Sequence, residues 1–402
     1  MRRPSDISFI AALGSITLIG PLAVHLYLPV MPEVKKAFAI SEALVGLTFS
    51  ATLLVMAIVT LVYGSLSDRY GRRPVLLTGL ILFTVGGAVS ALADSVAGLI
   101  AGRIIQALGA GCGMTLARVI ARDAYGADRL VKAIAYLSMA YALGPMLSPL
   151  FAGILIDTWG WRSALWFTAL SGAAITALAF VVLYETRPAD EVVSTPSGVW
   201  RNYAVLIAHP RFTAFVLQTG LSTATFYAMA AASAFLMKDY LGRSATEFGL
   251  YFVFFPVGLF AGNLLSSVLS HRFSIETMVL TGSVINMAAV ISQSALILAG
   301  YLNPLIIFIP GFLVTFGQGL ALPNAQAGAL RVMPALAGTA AGTGVFFQSF
   351  LGAVFSQIYG LLADGTPIPL VITASAGAVL TLIAGLTPVV LKLRERPAPM
   401  PG

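Results

Sequence analysis

Apolar residues run along this chain in long unbroken blocks, not at the spacing of an amphipathic helix or a half-buried strand. A helix needs roughly 20 apolar residues to cross about 30 Å of hydrocarbon, with every backbone polar group bonded internally. Twelve blocks meet that length, at roughly 7–29, 43–64, 75–93, 97–121, 132–156, 163–184, 212–237, 247–270, 276–299, 304–326, 336–360 and 368–391. They predict an all-α membrane protein with twelve transmembrane helices. Only the stretch at about 185–211 is long, polar and proline-bearing, so it predicts a cytoplasmic linker between two six-helix bundles, 1–184 and 212–402. The opening MRRPSD has the basic character of a signal-peptide start, but the run after it is long and lacks a small-residue cleavage site. It is read as an uncleaved first span.

Composition narrows the class further. Of 402 residues, 58% are hydrophobic and only 10% charged, against about 25% charged in a soluble domain. That excludes a soluble enzyme and a disordered chain. The net charge of +7 would suit a nucleic-acid partner, yet its placement says otherwise. With the loops assigned to alternate sides, 16 of the 23 Lys and Arg fall on the side of the N-terminus and 5 on the other, with Arg103 and Arg118 inside spans. The bias places both termini in the cytoplasm and the chain in the inner membrane. The charge reflects insertion, and no nucleic acid is needed. A lone cysteine, Cys112, excludes an intramolecular disulfide, and His25, His209 and His271 are too dispersed to hold a metal. There is no phosphate-cradling glycine loop with Lys and Ser/Thr, so ATP is not the energy source. The reading is of a chain that is not an enzyme and has no cofactor, acting as a monomer.

The two halves are related. A shift of 203 residues lays Ser41, Gly46, Leu47 and Phe49 on Ser244, Gly249, Leu250 and Phe252, and LSDRY (66–70) on LSHRF (269–273). Two six-span repeats in one orientation are parallel repeats, which place a substrate site near the midplane.

The loop after the second span reads GSLSDRYGRRPVLL (64–77). Gly64 is expected to let helices approach and Gly71 to permit a tight turn. Asp68 sits at a helix end, and Arg69, Arg72 and Arg73 are cations suited to carboxylates or helix C-termini. A positive-inside loop with a turn glycine is the plainer reading, and the full spacing argues against it. This run resembles the signature loop of the major facilitator superfamily. RIIQALGAGCG (103–113) is similar to that superfamily's Arg-x-x-Gln-Gly pattern, with Ala107 in place of the last glycine. ALGPMLSPLFAG (142–153) resembles the Gly-Pro signature of drug:proton antiporters, and PLAVHLYLP (21–29) with WGWRSALWF (159–167) resembles the Bcr/CflA-like multidrug exporters. The resemblance implies the major facilitator fold. It also implies a gating network of Asp68, the arginines after it and Asp123, with Gly144, Pro145 and Gly153 shaping the fifth span.

Ionisable residues within spans are functional candidates by default. Here they are His25, Arg103 and Arg118. Counted from the ends of their spans, His25 and Arg103 lie within roughly 3 Å of one depth, while Arg118 is about 22 Å deeper. The resemblance implies an aspartate for proton coupling where this chain has His25. None of the 16 acidic residues falls in a span core, so an anionic or neutral substrate suits the site better than a cation. Histidine titrates near physiological pH and could couple protons. A neutral His25 bonded to a hydroxyl and an Arg103 bonded to backbone carbonyls are the plainer alternatives. Cavity candidates are Tyr27, Gln106, Tyr141, Gln218, Phe226, Tyr227, Asn263, Phe346 and Gln348, offering ring surface with a few polar groups.

The expected function is proton-coupled efflux of drug-like or small metabolite molecules by alternating access, with small-molecule substrate, protons and the lipid bilayer as partners. An anion or metabolite carrier with altered or no proton coupling is one alternative. A non-transporting membrane sensor is another.

Overall fold

The computed structural model describes residues 6–187 and 199–394. Among the described residues, twelve helices are long and apolar enough to cross a membrane. They are α1 (Ile7–Val24), α2 (Glu42–Tyr70), α3 (Arg72–Leu92), α4 (Val96–Gly126), α5 (Lys132–Trp159) and α6 (Trp161–Val182), followed by α7 (Pro210–Tyr240), α8 (Ala245–Leu269), α9 (Ile275–Leu298), α10 (Pro304–Val332), α11 (Gly338–Leu362) and α12 (Ile368–Leu393). There is no strand among the described residues. The helix ends on the arginine-rich side are termed inner, the others outer.

Polar caps set the helix starts. Ser41 Oγ accepts from the Leu44 amide at 3.4 Å, and Ser244 Oγ accepts from the Glu247 amide at 3.1 Å. These are the same position in the two repeats. Asn303 caps α10 ahead of Pro304, a residue whose missing amide costs nothing in the first turn. Several helices outrun the apolar blocks, because polar residues extend a helix past the hydrocarbon. Thus α2 reaches Tyr70 and α4 reaches Gly126. The first span is shorter than expected: its helix stops at Val24, turns carry residues 25–29, and a separate helix runs Val30–Phe38. His25 is therefore the C-cap of a helix and not an interior residue.

The described chain falls into two compact units. Unit 1 comprises residues 1–195, 230–253 and 356–365. Unit 2 comprises 196–229, 254–355 and 366–402. The boundaries expected from sequence follow chain order, whereas unit 1 also gathers the outer ends of α7, α8 and α11. Of the linker expected at 185–211, residues 188–198 lie outside the described residues, as do Arg2, Arg3 and Arg396, and Val199–Ile207 form a short helix.

Within unit 1, α3 and α4 approach through small residues: Gly109 sits on the Gly79 carbonyl and Phe83. Cys112 is fully buried against Gly79. In unit 2, Gly258 and Gly262 sit on the carbonyls of Phe312 and Phe316, which joins α8 to α10. Such contacts replace the hydrophobic drive that lipid cannot supply. A Cβ on Gly338, at the start of α11, would meet nothing within 4 Å.

Candidate functional site

Arg103 is the centre of a buried polar group in unit 1. Its side chain is 1% exposed. One terminal nitrogen donates to Gln106 Oε1 at 2.5 Å and the other to the Ala23 carbonyl at 2.6 Å. The guanidinium lies 4.0 Å from the centroid of the Tyr27 ring, and the Tyr27 hydroxyl pairs with Thr48 at 2.7 Å. A cation over a desolvated ring gains about 2 kcal/mol. No carboxylate is described at this guanidinium, so its charge meets only a ring face, an amide and a carbonyl. The interrupted end of α1 matters here. Because the helix stops at Val24, the Ala23 carbonyl is free to accept from α4.

His25 is also buried, 4% exposed. Its amide donates to the Pro21 carbonyl at 2.8 Å, and its ring lies 6.3 Å from that of Phe252. His25 is not among the groups described around Arg103. The structure thus unites three predicted residues, Arg103, Gln106 and Tyr27, and sets His25 beside an aromatic ring of α8. Ala23, Thr48 and Phe252 are partners that sequence reasoning missed. Arg118 and Tyr141 are exposed on α4 and α5.

The inner turn between α2 and α3 forms a second polar group. Arg72 is 1% exposed. Its Nε donates to Asp123 at 2.9 Å, while Nη1 donates to Ser67 at 2.8 Å and pairs with Asp68. Arg73 turns instead to the end of α6, donating to the carbonyls of Leu183 and Phe180 at 2.8 Å each. Arg69 stacks on Tyr70 and gives its carbonyl to Arg187. Gly71 has φ +98°, a conformation that favours glycine, and a Cβ there would lie 2.7 Å from Glu185 Oε2. Gly64 departs from expectation: a Cβ on it would meet nothing within 4 Å, so it holds no helix contact.

Glu185 was not anticipated. Its carboxylate accepts from the amides of Arg72, Arg73, Thr186 and Arg187 at 2.9, 3.2, 3.1 and 3.0 Å. Partial burial alone would raise its pKa, but the four amide bonds outweigh that and hold it below the ordinary glutamate value. It stands past the last apolar residue of α6, where the sequence reads as linker. The Glu-Thr-Arg turn was its only signal.

On α5, Gly144 lies against Pro21 of α1, and Gly153 lies against the Ala245 carbonyl at the start of α8. Pro145 and Pro149 are inside the helix. Asp157 accepts from the amides of Ala245 and Thr246 at 3.2 and 2.8 Å, a cap reaching from α5 to α8 within unit 1. At the same outer end Lys35 bridges Glu42 and Asp239 at 2.8 and 2.7 Å, and Lys238 pairs with Glu33 at 2.6 Å.

The remaining cavity candidates divide. Gln218 turns into unit 2, 1% exposed, and donates to Ser283 at 3.1 Å. Phe226 packs on Tyr227 and Phe255 with ring centroids 5.0 and 5.3 Å apart. Phe346 packs on Phe347 and Phe350. The Gln348 amide nitrogen is buried with no hydrogen-bond partner among the described residues. Asn263 lines a cavity of about 1020 Å³ at the inner end of unit 2. Unit 1 has a cavity of about 790 Å³ between α1 and α5, with Ile10, Gly14 and Leu18 in its wall and Arg129 and Lys132 near its mouth. None of the sequence candidates lines that second cavity.

Comparison with known proteins agrees with this architecture. A family model described as Major Facilitator Superfamily matches residues 13–357. The chain is 28% identical over 362 residues to multidrug resistance protein D of Escherichia coli strain K12, covering 90% of this chain and 91% of that one. It is 24% identical to a bicyclomycin resistance protein homolog of Haemophilus influenzae, covering 95% and 96%. Among solved structures, a bacterial homolog of the human lysosomal transporter Spinster, inward-facing and occupied, superposes with a TM-score of 0.78 at 16% identity, over 99% of this chain and 100% of that one. A D-xylose–proton symporter gives 0.75 at 16% identity over 94% and 96%.

Proposed function

Because the chain belongs to the Major Facilitator Superfamily and is a transporter rather than an enzyme, we propose that it exports drug-like or small metabolite molecules by proton-coupled alternating access. The bacterial inner membrane is its site, both termini are cytoplasmic, and it acts as a monomer. Relatives named for multidrug and bicyclomycin resistance support the export reading. Two sets of charges suit a protein that opens one side at a time. The Arg72–Asp68–Asp123 group would serve the inner side and the Lys35–Asp239 and Lys238–Glu33 pairs the outer. A few charge-assisted bonds make such an element bistable.

The observation that carries the substrate reading is a buried cation without an acid. Arg103 is desolvated, and every acidic residue within a spanning helix lies within three residues of a helix end: Glu42, Asp68, Asp123, Asp157, Asp239, Glu247 and Glu276. A cationic drug would find no counter-charge in the span cores, so neutral and anionic substrates are preferred. His25 takes the place of the acidic coupling residue and carries the proton. In proteoliposomes with an imposed pH gradient, His25→Ala is expected to abolish gradient-driven transport while unfolding at an unchanged temperature. Transport that keeps its rate and pH dependence would sink the coupling role. The uncompensated Arg103 also favours a second reading, an anion carrier with altered coupling. Thermal-shift screening with anionic, neutral and cationic compounds at two pH values separates the two, since only the carrier reading restricts stabilisation to anions.

A further inference from the structure

The 1020 Å³ cavity of unit 2 is built from the inner ends of α8, α9, α10 and α12 and the start of α7. Its described lining residues include three fixed cations, Arg211, Arg331 and Lys392, against one carboxylate, Glu276. Glu276 is already engaged: one oxygen pairs with Arg211, the other accepts from Lys392 at 2.8 Å. Arg331 has no ion-pair partner among the described residues and is exposed. The cavity therefore carries an excess positive charge of two, before either of its histidines is protonated.

The wall has its own chemistry. Asn263 and Ser267 occupy positions i and i+4 of α8, which places them on one helical face, and Ser270 follows in the turn just past its inner end. All three line the cavity. Their stripe rises about 10 Å from the inner end of the helix. Hydroxyls and an amide in that register are costly against hydrocarbon. Facing the cavity, they offer donors and acceptors to a guest. His209 adds a buried Nδ1 with no hydrogen-bond partner among the described residues. The corresponding place in unit 1 holds the buried Arg72 side chain with its carboxylates Asp68 and Asp123. At the matching position of the repeat, unit 2 has Ile275.

We propose that this cavity binds a phosphate-bearing polyol, with Arg331 and the Arg211–Lys392 side holding the phosphate and the α8 stripe holding the hydroxyls. A guanidinium fork matches phosphate oxygens in pairs. The excess charge rejects cations, and the α8 stripe favours a hydroxylated guest, while Phe215, Phe273 and Ile275 leave room beside it for an apolar tail. The same chemistry is presented by a phosphatidylglycerol headgroup at the inner leaflet, where basic pockets between helices take anionic lipids, and by a soluble glycerol phosphate.

The test is thermal unfolding of the purified full-length protein in neutral detergent at 0.15 M salt, a concentration at which loose surface attraction is screened beyond about 8 Å. Glycerol 3-phosphate, short-chain phosphatidylglycerol and short-chain phosphatidylcholine are titrated separately. Saturable stabilisation by phosphatidylglycerol alone assigns the site to lipid, and stabilisation by glycerol phosphate as well assigns it to a soluble ligand. Arg331→Gln is expected to weaken the apparent affinity at least tenfold. Ser267→Leu, which alters the wall and no charge, is expected to do the same. The proposal is overturned if neither phosphate compound stabilises the protein or if phosphatidylcholine does so equally. It is likewise overturned if either variant binds as the parent does.

Discussion

The inner turns of the two repeats, 64–77 between α2 and α3 and 267–280 between α8 and α9, descend from one pattern and have become different devices. In the first, Asp68 and Asp123 hold a buried Arg72. In the second, the shift of 203 residues places His271 at the position of Asp68 and Ile275 at that of Arg72. Glu276 then takes its cations from the far ends of the unit, Arg211 and Lys392. The first turn pivots on Gly71 at φ +98°, while its counterpart Ser274 is an N-cap that accepts from the Thr277 amide at 3.3 Å. One repeat has filled the space with a charge network and the other has left a basic cavity. A conserved register therefore fixes where a turn sits but not what it does.

The comparison can be broken most severely at Asp123. Its side chain is 3% exposed, so Asp123→Ala removes the buried one of the two carboxylates on Arg72 and leaves only the half-exposed Asp68, at a cost of about 3 kcal/mol. Thermal unfolding in detergent reads the loss. Glu276→Gln in the other turn should cost about 1 kcal/mol or less, because both of its partners reach solvent. Equal losses would remove the distinction between the two turns. Next comes the pivot. Gly71→Ala forces a side chain into a left-handed conformation and against Glu185, for about 1–3 kcal/mol. Ser274→Ala forfeits one cap, about 1 kcal/mol. The same unfolding measurement ranks them, and a larger effect at Ser274 would reverse the assignment of pivot and cap.

The smallest effect is a pH dependence. The folded-state pKa of Glu185 lies below its unfolded value, so its contribution is complete above the ordinary glutamate range and fades as the pH falls through the folded value. Parent and Glu185→Gln should therefore differ in Tm at pH 7 and converge as the pH falls below the folded-state pKa of Glu185. A difference that persists unchanged into acid would mean the carboxylate is not the stabilising form.

Much of this was legible in the sequence, for physical reasons. Lipid demands long apolar blocks, so the twelve helices were plain. Of the paired arginines, Arg72 lies on carboxylates and Arg73 on the carbonyls at the end of α6. Long-range pairing was hidden. Glu185 meets Arg72 across 113 residues, and no periodicity marks a carboxylate that looks like the first residue of a linker. Asp157 capping α8 is the same case. Gly64 misled because a glycine in a helix pattern signals close approach only if a neighbour is there. Gln218 looked like a cavity residue because an amide in a span must find a partner. The partner is Ser283, inside unit 2. The break in α1 escaped notice because PLAVHLYLP is apolar throughout, and hydropathy does not register where a helix unwinds.

The single thiol has a practical consequence. Cys112 is sealed at the α3–α4 contact, against a glycine that leaves no path for solvent. Toward water-soluble maleimides the natural chain behaves as a cysteine-free background. Cysteines introduced one at a time along the α1–α5 cavity or the α8 stripe would then report side by side which face of the bilayer each position meets.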